Sequence, residues 1–153
     1  MKVKQFHINA VLLIIMAFAL SSCQNDGHIG WLFGSWKVEE YKLDGVAQHD
    51  ALIDATVFSF QNNVVQVNAV TDNYGSNITR FGTWKENGSE FTLDFANSDD
   101  QRPSGTDLYS APEWLGMEST LMRMNIQHSS GRFTLTWEDS KGQVKTYIFK
   151  KIV

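Results

Sequence analysis

From residue 31 onward the chain alternates between apolar and polar positions. Trp36 and Val38 alternate with Ser35 and Lys37, and Val65, Val67 and Ala69 with Gln66 and Asn68. Phe91, Leu93 and Phe95 alternate with Glu90, Thr92 and Asp94, and Phe133, Leu135 and Trp137 with Arg132, Thr134 and Thr136. Val57, Phe58 and Phe60 mark a further run. Period two in β-branched and aromatic residues predicts strands with one apolar and one wet face. Turn-forming residues separate the runs: Asp44-Gly45, Asn62-Asn63, Asn73 to Asn77, Asn87-Gly88, Ser130-Gly131 and Lys141-Gly142. The pattern predicts eight strands, at 34–43, 55–61, 64–71, 78–86, 90–96, 119–127, 132–138 and 143–151.

Most links are short, so neighbours in sequence pair antiparallel and form a meander. The leading architecture is all-β, an eight-stranded up-and-down barrel, because closure removes both edges and encloses the apolar face. A two-sheet sandwich is the alternative; it needs longer crossing connections, and 97–118 offers one. This loop holds Pro103, Pro112, Leu108, Tyr109, Trp114, Leu115 and Met117. Loops of such length are often functional. Two readings are open: a flap with a short helical turn near Pro112-Glu113-Trp114-Leu115, closing one barrel mouth, or a plug for the core. The link from Val46 to Asp54 also has room for a helical turn.

The first residues follow another pattern. Lys2 and Lys4 precede an uninterrupted apolar run from Ala10 to Leu20, then Ser21, Ser22 and the lone Cys23. A basic start, a short apolar core and small residues read as a secretory signal; a spanning helix needs about 20 apolar residues. Leu20-Ser21-Ser22-Cys23 resembles the lipobox of bacterial lipoproteins. That resemblance implies cleavage before Cys23 and acylation of its thiol and new amino group, and several acyl chains hold where one is marginal. The expected organisation is a signal peptide at 1–22, a lipidated tether at 23–30 and one barrel domain at 31–153. The expected place is the cell envelope. Gln24 after the cysteine, rather than aspartate, permits the outer membrane by the same resemblance, with the periplasmic or surface face left open.

With Cys23 acylated the fold has no thiol, so neither a disulfide nor thiol redox chemistry is available. The chain's net charge is −4 at pH 7, and it becomes more negative once Lys2 and Lys4 are removed. No basic block is present, which makes nucleic acid and anionic headgroups poor partners. His28, His49 and His128 show no metal-ligand spacing. Glu39 and Glu40 are strand neighbours and face opposite ways. Asp99-Asp100 sits in the long loop without the spacing of a calcium loop. A Gly-x-Ser-x-Gly elbow and a phosphate-binding glycine loop are both absent. No cofactor is expected, and the chain does not read as an enzyme.

What remains is the barrel lining. Phe58, Phe60, Val65, Val67, Phe91, Leu93, Phe95, Phe133, Leu135 and Trp137 are expected inside, and their size leaves open whether a cavity exists. Arg80 is in phase with Ile78 and Trp84, and Arg123 with Leu121. An inward arginine needs a partner or an anion, which suggests an acid-headed apolar ligand. The alternative turns the arginines out, with Met122, Met124 and Ile126 inward.

Gly34-Ser35-Trp36 resembles the Gly-x-Trp motif that opens the lipocalin barrel. The resemblance implies that Trp36 plugs the closed end and that a late basic residue, here Lys150 or Lys151 rather than arginine, packs across it. Gly82-Thr83-Trp84-Lys85 echoes the motif. With the lipobox, the Phe91-Thr92-Leu93 strand and Tyr147-Ile148-Phe149-Lys150-Lys151, residues 31–153 resemble small lipocalin-like lipoproteins of Bacteroidetes-type envelopes. The expected function is a lipid-anchored envelope protein binding a small apolar or amphipathic ligand at the barrel mouth. The candidate ligand residues are Phe58, Phe60, Arg80, Trp84, Tyr109, Trp114 and Arg123, and Gly34 and Trp36 are structural. The alternative is a filled barrel that binds an envelope protein through exposed Tyr109, Trp114 and Leu115.

Overall fold

The computed structural model describes residues 30–71, 77–96 and 107–153. The leader, Cys23, the tether up to residue 29 with His28, the turn around Asn73, and the segment 97–106 with Pro103 and Asp99-Asp100 lie outside these residues.

Among the described residues nine strands form one antiparallel sheet: β1 (Gly34–Leu43), β2 (Val46–Gln48), β3 (Thr56–Gln61), β4 (Val64–Val70), β5 (Asn77–Asn87), β6 (Glu90–Asp94), β7 (Leu121–Ser129), β8 (Arg132–Glu138) and β9 (Val144–Lys151). From β3 onward each strand pairs with the next, and β9 returns to pair with β1 from Trp36↔Lys151 to Leu43↔Lys145. β1 also pairs with β3, so the sheet closes as an eight-stranded barrel with β2 added. The sandwich alternative is thereby overturned.

The strands start and stop where turn chemistry dictates. Asp44 and Gly45 take φ 50° and 80°, the pair of left-handed residues that a tight Asp-Gly hairpin requires. That hairpin folds β2 back on β1, Leu43↔Val46, a strand the alternation left inside a link. The same link holds a helical turn, α1 (Ala51–Asp54), begun by Asp50, whose Oδ1 accepts from the Leu52 and Ile53 N–H groups. β7 runs two residues later than expected, from Leu121 to Ser129.

The alternation becomes burial. Phe58, Phe60, Val65, Val67, Phe91, Leu93, Phe95, Phe133 and Leu135 are all buried inside, with Trp137 beside them. In the half nearest Gly34 the rings fill the barrel. Phe133 stacks on Phe149 at 4.4 Å, Phe149 meets Phe58 edge-on at 4.9 Å, and Phe60 meets Trp84 at 5.7 Å. Such pairs contribute about 0.5–1.5 kcal/mol each beyond area burial. Among the described residues no helix is long and apolar enough to cross a membrane.

Candidate functional site

The barrel has two unlike ends. At the end where the chain enters, Trp36 is buried, its Nε1–H donates to the Leu32 carbonyl at 2.7 Å, and the Lys151 Nζ lies 5.2 Å from its ring centre. Trp36 stands where the motif implied a plug, and Lys151, rather than Lys150, lies over its ring. Gly34 has φ +112°, and a Cβ there would run into the Val153 carbonyl oxygen. Trp31 packs edge-on to Trp36 at 6.0 Å and stacks on His128 at 4.1 Å. An open groove of about 710 Å³ runs over this end, lined by Trp31, Leu32, Asn62, Trp84, Glu86 and His128 among others.

At the opposite end, the mouth, the described part of the long loop forms two short 3-10 turns, Asp107–Tyr109 and Glu113–Leu115. Gly116, left-handed at φ 67°, ends the second. Leu115 and Met117 enter the core, and Ala111 is buried with them. Polar contacts hold the loop down. Trp114 Nε1–H donates to Thr56 Oγ1 at 3.0 Å, and Thr56 Oγ1–H in turn donates to the Leu52 carbonyl at 2.8 Å. Tyr147 Oη–H donates to the Leu115 carbonyl at 2.7 Å. Burial, first, pushes the Tyr147 phenol far above its ordinary range, with the neighbouring Tyr41 adding to the shift. Lys145 Nζ reaches the Gly116 carbonyl at 3.5 Å while pairing with Asp139 at 3.1 Å.

The seven candidate ligand residues separate. Phe58 and Phe60 are wholly buried, and Trp84 is nearly so, in the filled half. Arg80, Trp114 and Tyr109 come together at the mouth: the Arg80 guanidinium lies 5.6 Å from the Trp114 ring centre, and the turn carrying Tyr109 packs on β5. Arg80 sits on the inward phase of β5 with Gly82 and Trp84, half-buried. Arg123 is exposed on the outer wall; Met124 and Ile126 are buried in its place, with Met122 partly buried. Its proposed lining role is corrected, because β7 pairs Phe91↔Met124 and so turns Met124 inward with Phe91. Leu115 is likewise corrected: it is a core residue rather than part of an exposed patch, and Trp114 is half-buried.

Thr56 went unnoticed in the sequence although it is in phase with Phe58 and Phe60; alternation alone would have placed it inside. Trp137 Nε1 also went unnoticed. Among the described residues four buried side-chain polar atoms have no hydrogen-bond partner: Arg80 Nε, Tyr109 Oη, Trp137 Nε1 and Trp84 Nε1. The first three belong to the mouth half. Arg80 Nη1 donates to its neighbour's carbonyl, Thr79 O, at 3.1 Å. A buried unpaired donor costs about 1–3 kcal/mol, so three in one region ask for an acceptor. Among the described residues no group of three or more His, Cys, Asp or Glu is placed to hold a metal ion.

Comparison with known proteins agrees with this geometry. Residues 18–145 match the family model described as a lipocalin-like domain. A lipocalin-like protein from Bacteroides uniformis has a similar structure, with TM-score 0.58 and 19% identity, covering 80% of this chain and 100% of its own. An uncharacterized protein from Bacteroides eggerthii gives TM-score 0.57 and 19% identity, covering 79% of this chain and 99% of its own. No curated protein matches the sequence significantly. A closed eight-stranded meander, a Gly-x-Trp plug crossed by a late cation and a family match over most of its length place this chain in the lipocalin-like domain family.

Proposed function

We propose that this protein is a lipid-anchored carrier of the cell envelope that binds one small amphipathic molecule at the mouth of its barrel. The observation behind this reading is the set of unpaired buried polar atoms there: Arg80 Nε, Tyr109 Oη and Trp137 Nε1. Two are obligate donors and the third is a hydroxyl. They suit a ligand whose head bears acceptor oxygens, such as a carboxylate, and whose body is apolar. Trp114 over Arg80 roofs that head, and the Trp137–Tyr147–Tyr41 stack, with ring centres 5.0 and 4.6 Å apart, supplies an aromatic wall. Mostly apolar walls with a few placed polar groups are the usual make-up of a small-molecule site. The Cys23 anchor and the envelope location rest on the lipobox resemblance.

The test uses purified protein and an anionic naphthalene sulfonate dye as the probe, alongside native mass spectrometry for co-purified molecules. Dye binding is expected, and Arg80→Gln should weaken it about tenfold or more, the loss of one hydrogen bond to a charged group. Absence of any bound molecule together with dye binding indifferent to Arg80→Gln would overturn the reading.

A further inference from the structure

Apolar side chains are exposed around the chain's entry into the barrel. Phe33 is 48% exposed, Ile152 51%, Val153 81% and Val64 37%. Strand pairing makes them neighbours. The Ile152 N–H donates to the Ser35 carbonyl at 2.9 Å, which sets Ile152 and Val153 beside Phe33. Gly34 pairs with Phe60, and the next residue, Gln61, pairs with Val64. An apolar patch left uncovered in this way marks a contact surface.

Charge completes the picture. The exposed cations along this edge are Lys37, Lys150 and Lys151. The nearest acid, Glu39, is committed to Arg132 by a two-pronged pair at 2.6 and 3.0 Å. Glu86, on β5, lines the groove over the same end with Trp31 and Leu32. An apolar edge with a collar of lysines fits a bilayer interface: apolar groups enter the acyl boundary while lysine stems reach to the phosphates.

We infer that this edge, centred on Phe33 and Ile152, rests on the bilayer that holds the protein, so that the mouth with Arg80 and Trp114 faces away from the membrane. The inference rests on the anchor reading of Cys23. From Cys23 to Gly30 the chain spans about 25 Å at full extension and about 15 Å as a flexible coil. A tether that short holds the plugged end near the lipid at an effective concentration in the millimolar range. Weak contact is enough under those conditions. With the whole chain's net charge at −4, and more negative once Lys2 and Lys4 are removed, contact comes from the apolar side chains rather than from attraction to anionic lipid.

The experiment uses the full-length protein reconstituted into phosphatidylethanolamine–phosphatidylcholine vesicles, with its acylation checked by intact mass. Single variants Phe33→Cys and Ile152→Cys carry an environment-sensitive dye, as do Val46→Cys and Leu121→Cys at the mouth end, where the native side chains are 63% and 47% exposed. Dyes at 33 and 152 should emit to the blue and lose intensity to brominated acyl chains, while those at 46 and 121 emit as in water. Water-like emission at 33 and 152 in acylated protein overturns the inference alone. A mass without acyl chains overturns the anchor reading and this inference with it.

Discussion

The Lys151 ammonium lies 5.2 Å from the centre of the Trp36 indole, across the plugged end of the barrel. An exposed lysine over tryptophan contributes about 0.5–1 kcal/mol, so Lys151→Ala should lower stability by about that much. Lys151→Arg should hold or raise it, because a planar guanidinium stacks on indole better than an ammonium. Trp36→Phe should cost more, about 2–4 kcal/mol, since it empties volume and orphans the Leu32 carbonyl that Nε1 meets at 2.7 Å. Urea midpoints rank the three; equal midpoints for wild type and Lys151→Ala would remove the cation's role.

Thr56 has one hydroxyl serving two masters, donating to Leu52 O and accepting from Trp114 Nε1. Thr56→Val keeps the shape and removes both bonds. The expected loss is about 1–3 kcal/mol, with faster amide exchange in residues 113–117, which this bond helps to pin. Thr56→Ser should keep most of the stability. If the valine variant melts with wild type, the hydroxyl is not the link between loop and barrel.

The two glycines of the repeated Gly-x-Trp pattern should fail differently. Gly34→Ala meets both a left-handed backbone at φ +112° and the Val153 carbonyl, and should cost more than about 2 kcal/mol. Gly82 has no such φ, but a Cβ would sit 2.7 Å from the Asp94 oxygen and 3.0 Å from the Phe95 ring. Overpacking there should cost about 1–3 kcal/mol. Gly88→Ala, with open space around it and φ +63°, should cost about 1 kcal/mol. Thermal denaturation of the three variants checks the order.

Acid should loosen the turn between β8 and β9. The Asp139 carboxyl is held below its ordinary value of 3.8 chiefly by the Gln143 N–H, then by the Lys145 ammonium and the Lys141 N–H, against the opposing effect of burial. A carboxylate depressed in the fold stabilises it above the unfolded pKa, and that contribution is lost as pH falls through the folded value. The window therefore lies below about pH 4. Asp139→Asn should lower the urea midpoint at pH 7 and shrink its drop between pH 5 and pH 2. Glu39, lowered chiefly by its Arg132 hydrogen bonds, adds an exposed contribution that salt should weaken. An undiminished acid drop in Asp139→Asn would count against the assignment.

Much of this was legible in the chain's pattern, and the exceptions have causes. Phe91-Thr92-Leu93 reads as a strand with two buried residues because a pleat sends neighbours to opposite faces whatever surrounds it. β2 was missed because three residues are too few to show a period, although the Asp44-Gly45 turn implied a return strand. Arg80 and Arg123 looked alike in sequence, each with an apolar residue two positions away. They parted in space because Met122, Met124 and Ile126 make the phase of β7 opposite to Arg123 apolar, and pairing with β6 turned that phase inward.

By itself the sequence determined the eight barrel strands to within about two residues, where they turn and which face of most is apolar, because these depend on neighbours one to three positions apart. It also marked Gly34 and Trp36 through a short motif. Only the tertiary structure decided that Leu115 lies in the core, that Thr56 and Trp114 meet, and that Arg80 Nε, Tyr109 Oη and Trp137 Nε1, in the mouth half, have no hydrogen-bond partner among the described residues. Those outcomes depend on contacts between segments far apart in sequence, which form only once β9 has closed on β1 and the loop has found the end of the barrel it must cover.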